Sequence, residues 1–323
     1  MTPTLAITQV LTLTPNASAS PTPTVTKTFT TRTRTRTPTP GGASTATQTP
    51  LPSNEVVAGY IPVVGSLPGN FGSFFRTSVQ VLNPGGSPIT GRLVFHPSGA
   101  SGQSTDPSQS FTLAPEQIVS FPDVGAALGQ TGLGSVDVFV NEGQTIPIVI
   151  ARIFDDSGSG GGGTKGFTEP FVHPSDVPPE GSGFLVGPSD VSQFRFNIGI
   201  RTLDDPVTVT ATVRDTSGSV LHTVTRSYDA NVFVQTSSTN FLGFSLGNDQ
   251  SIELAFTGGG LIAYGATVDN VSNDPSAQFL PYITATQIAQ RARPSRGGSS
   301  TPIKLALVLA MLGVGAGIVM AKR

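Results

Sequence analysis

The sequence predicts an all-β chain: two tandem antiparallel β-sandwich (Ig-like) domains between a disordered Thr/Pro-rich N-terminus and a C-terminal transmembrane helix. Three observations carry that prediction. Gly and Pro are abundant, 38 and 27 among 323 residues, which disfavours long helices and favours short strands joined by turns. Apolar residues alternate with polar ones, the period of a strand buried on one face. A segment of roughly 115 residues occurs twice, a domain-sized repeat and too long for a solenoid unit.

The repeat is read from matched segments. Phe75-Arg76-Thr77 begins a strand that ends at Asn83-Pro84, and Ile89 to Phe95 follows the turn. Further on, Phe194-Arg195 begins a strand ending at Thr202, and Val207 to Val213 follows Asp205-Pro206. Later, Ser135 to Val140 matches Ser251 to Phe256, and Ile146 to Asp156 matches Leu261 to Asn270. Phe194, Phe196, Ile198 and Ile200 alternate with Arg195, Asn197, Gly199 and Arg201, so the second set is expected to face solvent. No amphipathic helix longer than Val124–Leu128 is expected. The domains are placed at 55–175 and 184–285. A linker at 176–183 separates them, and another at 286–302 follows the second.

Charge divides the chain. Residues 55–290 hold all 20 acidic groups and eight basic ones, a net of −12. The first 54 residues are basic and contain Thr31-Arg-Thr-Arg-Thr-Arg-Thr37. Residues 291–323 carry six basic groups and no acid. An acidic body argues against a nucleic-acid partner, which needs a basic folded face. The segment 1–54 has 18 Thr and 7 Pro in its first fifty positions. It is too poor in apolar residues to build a core and reads as an extended spacer. A glycosylated stalk and a bare linker both fit. No N-terminal signal peptide is visible.

Leu305 to Ala321 is an uninterrupted apolar run, and 303–321 is read as a transmembrane helix or sorting tail. Gly313 and Gly317 form a small-residue pair suited to helix packing. Arg291, Arg293, Arg296 and Lys304 outnumber Lys322 and Arg323, which would place the N-terminal flank inside. The Thr/Pro stalk instead suits a body outside the cell, anchored in the membrane by the C-terminal segment, and that is the expectation adopted.

Phe75-Arg76-Thr77, Asn83-Pro84, the Tyr60-Ile-Pro-Val-Val64 opening and Val268-Asp269-Asn270-Val-Ser-Asn-Asp274-Pro275 together resemble the tandem β-sandwich repeat modules of bacterial secreted and cell-surface proteins. The resemblance covers about 55–285. It implies an extracellular, non-catalytic module with no defined ligand.

Chemistry-bearing motifs are few. There is no Cys, so disulfides, thiolate metal sites and cysteine nucleophiles are excluded. The run from Gly158 to Gly166 lacks the Gly-Lys-Ser/Thr order of a phosphate loop and reads as a hairpin tip. His96, His173 and His222 read as surface or turn residues. Asp269, Asn270 and Asp274 crowd oxygen donors after a strand. They fit a calcium loop, or Asx turns bonded to their own backbone. No other cofactor is expected. Arg76 and Arg195 hold matching places in the repeat and read as structural, packed over an aromatic or paired with a carboxylate.

The function expected is that of a non-catalytic cell-surface or envelope protein with a structural or adhesive role. The alternative is a carbohydrate- or protein-binding accessory module of a surface enzyme complex, with a surface glycan or protein as its ligand.

Overall fold

The computed structural model describes residues 54–157 and 164–281, together with two short strands near the N-terminus, β1 (Leu13–Thr14) and β2 (Thr24–Val25), which pair antiparallel. The rest of the spacer and the apolar segment 303–321, with Gly313 and Gly317, lie outside the described residues. Among the described residues no helix is long and apolar enough to cross a membrane. The chain is predominantly β, and its sheets are antiparallel.

The first half contains β3 (Glu55–Pro68), β4 (Phe74–Leu82), β5 (Ile89–Pro97), β6 (Ser108–Leu113) and β7 (Ile118–Phe121). A short helix α1 (Val124–Ala127) follows, with the Asp123 carboxylate accepting the Ala126 N–H at its start. Then come β8 (Gly132–Asn141), β9 (Ile148–Asp155) and β10 (Lys165–Glu169). Strand pairing gives two ribbons, β3-β8-β5-β6 and β7-β4-β9-β10. They are continuous because β3 is long. Its register slips at Val57/Gly59 and Ile61/Val64, and such irregularities bend a strand. Its last residues, Ser66 to Pro68, pair with β4. Ile61, Val81, Leu93, Phe95 and Val138 share the apolar core, with strands of both ribbons contributing.

The second half contains β11 (Gly181–Val186), β12 (Phe194–Thr202), β13 (Val207–Arg214), β14 (Val220–Tyr228) and β15 (Phe233–Ser237). Helix α2 (Ser238–Leu242) is capped by Ser237 at its start and by Gly243 in the left-handed region at its end. Strands β16 (Ser251–Thr257), β17 (Leu261–Asp269) and β18 (Pro275–Phe279) complete it. The two four-stranded sheets run β11-β16-β13-β14 and β15-β12-β17-β18. Ile198, Ile200, Val209, Val213 and Leu254 from both sheets fill one core.

The pairing pattern of the first half recurs strand for strand in the second, each strand matching the one eight later. Registers agree too: Phe75 faces Asp155, and Phe194 faces Asp269. The same backbone clamp closes each β4-type strand, where Asn83 N–H donates to Gln117 O and Thr202 N–H to Val232 O. Asn83 is fully buried. Its amide donates to the carbonyls of Ser87, Leu113 and Ala114, and its Oδ1 accepts from Gly85 N–H. That is the physical content of the Asn-Pro turn seen in the sequence.

The strand order departs from the Ig-like arrangement expected from the sequence. In immunoglobulin sandwiches strands one, two, five and four share a sheet. Here strand one of each repeat lies beside strand six, and strand seven beside strand two. Alternation reports which face of a strand is buried but not which strand lies alongside, so the sequence could not order them.

The connection between the repeats is itself packed. Tyr60 and Val172 exchange backbone hydrogen bonds of 2.8 and 2.9 Å, and a 3-10 turn follows at Pro174–Asp176. Val172 and Val177 pack with Tyr60, Leu203 and Ile262.

Candidate functional site at the joint between the halves

Two strands are apolar on both faces, and they meet at the joint. β3 is buried continuously from Ala58 to Ser66, and β17 from Leu261 to Ala266. Val63 and Ile153 of the first half pack with Phe233, Tyr264 and Ala266 of the second. The β5–β6 loop adds backbone bonds across the joint, with Gly99 N–H donating to Phe233 O and Gly102 N–H to Asn231 O. Within the second half, Gly199 leaves room for the Tyr264 ring to lie across β12, since a Cβ there would lie 2.0 Å from that ring.

A charged cluster sits in this interior. Arg201 of β12 is fully buried and donates through Nη2 to both oxygens of Asp137 on β8, at 3.1 and 3.0 Å. Its Nη1 donates to Thr202 O at 2.6 Å. His96 of β5 stands on the other side of Asp137, with Nε2 3.0 Å from Asp137 Oδ2 and Nδ1 2.7 Å from Asp106 Oδ2. Asp106 also accepts the Gln103 N–H, which fixes the loop. Burial alone would depress the His96 imidazole, but Asp137 and Asp106 outweigh it and hold the group above its ordinary value. Burial likewise opposes ionisation of Asp137, yet Arg201 and His96 keep its carboxyl below the usual range. Burial, then the negative charges of Asp137 and Asp204, pushes the neighbouring Tyr60 hydroxyl up.

Beside the cluster, the joint opens into a cleft of about 290 Å³. Leu67, Phe75, Ile153 and Phe167 line it from the first half, and Tyr264, Ala266 and Val268 from the second. Its polar wall is Asn70, Arg195, Asn197 and Gln235. Gln235 accepts the Tyr264 hydroxyl proton at 2.6 Å. Behind Val63, which lines the cleft, Glu169 is 3% exposed. Its Oε2 accepts the Val63 N–H, while Oε1 has no hydrogen-bond partner among the described residues. Burial drives the Glu169 carboxyl well above the carboxylate range, against the single backbone bond. Burial, then Glu169, raises the Tyr264 hydroxyl as well.

Among the described residues, those singled out from sequence fall in two places. Arg76 lies over the Phe74 ring and pairs with Asp123 and Asp156 at 2.5 and 2.7 Å. Arg195 is set differently. It lies over Phe71, at the tip of the β3–β4 hairpin, and donates to Asp269 O, Asn270 Oδ1 and Asn273 Oδ1. The Asp269 carboxylate accepts from the N–H groups of Val271 and Ser272, an Asx turn, which holds it below its ordinary value. Asn270 bonds Arg195 and Ser192 O, and the Asp274 backbone pairs with Asp269 N–H. Among the described residues no group of three or more His, Cys, Asp or Glu side chains is arranged to hold a metal.

The histidines require a correction. His96 is 5% exposed and clamped between carboxylates, not a surface residue. His173 and His222 are half-buried, each with a ring nitrogen at a backbone carbonyl, Ala58 O and Leu242 O. The strands flanking the glycine run pair as a hairpin, Lys165 opposite Asp155, and residues 158–163 lie outside the described residues. Sequence reasoning missed Arg201, Asp137 and Glu169. The signal that would have found the joint is the loss of alternation in Val56 to Val64 and in Leu261 to Tyr264, which marks strands covered on both faces.

No protein-family model, curated protein or solved structure matches the chain.

Proposed function

We propose that this chain is a non-catalytic cell-surface or envelope protein. Its two repeats act as tandem β-sandwich domains in a single stiff head with a structural or adhesive role. The observation that carries the reading is the joint. Its buried ionisable side chains, Arg201, Asp137 and His96, bind the halves to one another. A head of this kind keeps its far surface in fixed orientation to its attachment, which presentation at a surface requires. The Thr/Pro-rich segment serves as spacer and the apolar C-terminal segment as membrane anchor, with the body outside. The resemblance of Phe75-Arg76-Thr77 and Asn83-Pro84 to bacterial surface modules supports the same reading.

Protease shaving of intact cells, followed by mass spectrometry of the released peptides, tests it. Peptides from 55–281 are expected in the released fraction. Their absence, with the same peptides abundant in lysed cells, would overturn the surface assignment. The cleft favours a second reading, a binding module for a small ligand.

A further inference from the structure

We infer that the cleft at the joint binds a small monocarboxylate with an apolar body, its carboxylate on Arg195. The apolar walls come from both halves, with Phe75, Phe167 and Val268 among them. The volume of about 290 Å³ lies at the lower end of small-molecule sites. Among the described residues, the one charged side chain lining it is a cation, in a body that carries a net of −12 between residues 55 and 290. Arg195 makes hydrogen bonds to a backbone carbonyl and two side-chain amides, all neutral acceptors. No carboxylate oxygen among the described residues lies within ion-pair distance of it, in contrast to Arg76, its counterpart in the first repeat. Two of its five N–H donors, Nε–H and one on Nη2, have no described partner. That leaves a fork for the two oxygens of a carboxylate. Burial already depresses the guanidinium, and a bound anion would relieve that penalty. Asn70 and Asn197 add amide donors on the same wall. The Phe71 ring beneath Arg195 and the Asn273 amide bonded to Phe71 O hold the guanidinium in place.

This inference concerns ligand chemistry and stands apart from surface location, so shaving and binding fail independently. The test is calorimetric titration of the full chain with decanoate, decan-1-ol and decyltrimethylammonium. Decanoate is expected to saturate at one per chain, with the alcohol weaker by about tenfold to a hundredfold, the range of a charged hydrogen bond. The ammonium should bind weaker still. Arg195→Gln should bring decanoate to the level of the alcohol, and Ala266→Phe, which fills the cleft, should abolish both. If a variant melts early, methyl NMR of the unmodified chain replaces it. Decanoate-induced shifts confined to methyls that line the cleft, those of Val63, Leu67, Ile153, Ala266 and Val268 among them, support the inference. No saturable decanoate binding, equal affinity for the three probes, or shifts elsewhere on the body would overturn it.

Discussion

Replacing Arg201 with Met tests the joint most sharply among single substitutions. Arg201 is fully buried and makes three hydrogen bonds, two of them to Asp137. Met fills most of the volume, so the packing loss is small. What remains is an Asp137 carboxylate without its main cation, and breaking a buried pair in this way costs about 3–5 kcal/mol. His96 still contacts Asp137, so the lower end applies while His96 is protonated. A loss of about 3 kcal/mol lowers the melting temperature by roughly 6–12 °C for a body of this size. Urea unfolding at pH 6, followed by far-UV circular dichroism, reads the change directly. The cycle with Asp137→Asn separates pairing from packing, and a coupling above about 1.5 kcal/mol is expected for a close buried charge pair. A loss under about 1 kcal/mol, or additivity of the two substitutions within about 0.5 kcal/mol, would show that the Arg201–Asp137 pair does not hold the joint.

Other outcomes follow from the same interior. His96 is held above its ordinary value, so its contribution is full below about pH 6.5 and is lost as pH rises through the raised value. Asp137 has the opposite sign, stabilising above its ordinary value of 3.8 and losing its contribution as pH falls below it. Melting temperature should therefore peak at mildly acidic pH, and His96→Gln should flatten the decline between about pH 6 and 8. Glu169 is raised, so the unfolded chain ionises it first and stability falls as pH rises above 4.5. Glu169→Gln removes that penalty and should raise the melting temperature at pH 8 by several degrees while leaving it nearly unchanged at pH 4. Gly199→Ala places a methyl against the Tyr264 ring and should cost about 1–3 kcal/mol by overpacking. Chemical denaturation measures it, with Gly86→Ala, at a glycine with open space around it and no positive φ, as the comparison.

Much of the body was legible in the sequence. Alternation in β13 marks Val207, Val209, Ala211 and Val213 as the buried set, and the structure buries all four. The repeat spacing located the matched strands, and Asn83-Pro84 marked a turn whose side chain is fully used. The joint was not legible by the same rule. On β12 the set Arg195, Asn197, Gly199 and Arg201 reads as a solvent face, because polar residues alternate with apolar ones there. The second half instead turns that face, with Tyr264 lying across it, toward β3. Arg201 is paired with Asp137, far away in the chain, and no local pattern reports such a partner. His96 was hidden for the same reason, since one of its two carboxylates arrives from another strand and the other from a loop. Helix α2 is a single turn between strands, too short for a periodic signal.

The two repeats are expected to open as one cooperative body. Native-state hydrogen exchange tests it directly by comparing the slowest amides of β8, Val136 to Val140, with those of β12, Phe196 to Arg201. The same opening free energy and the same denaturant dependence are expected in both strands, with Arg201→Met lowering both together. Two distinct opening free energies, with Arg201→Met changing only one, would contradict it.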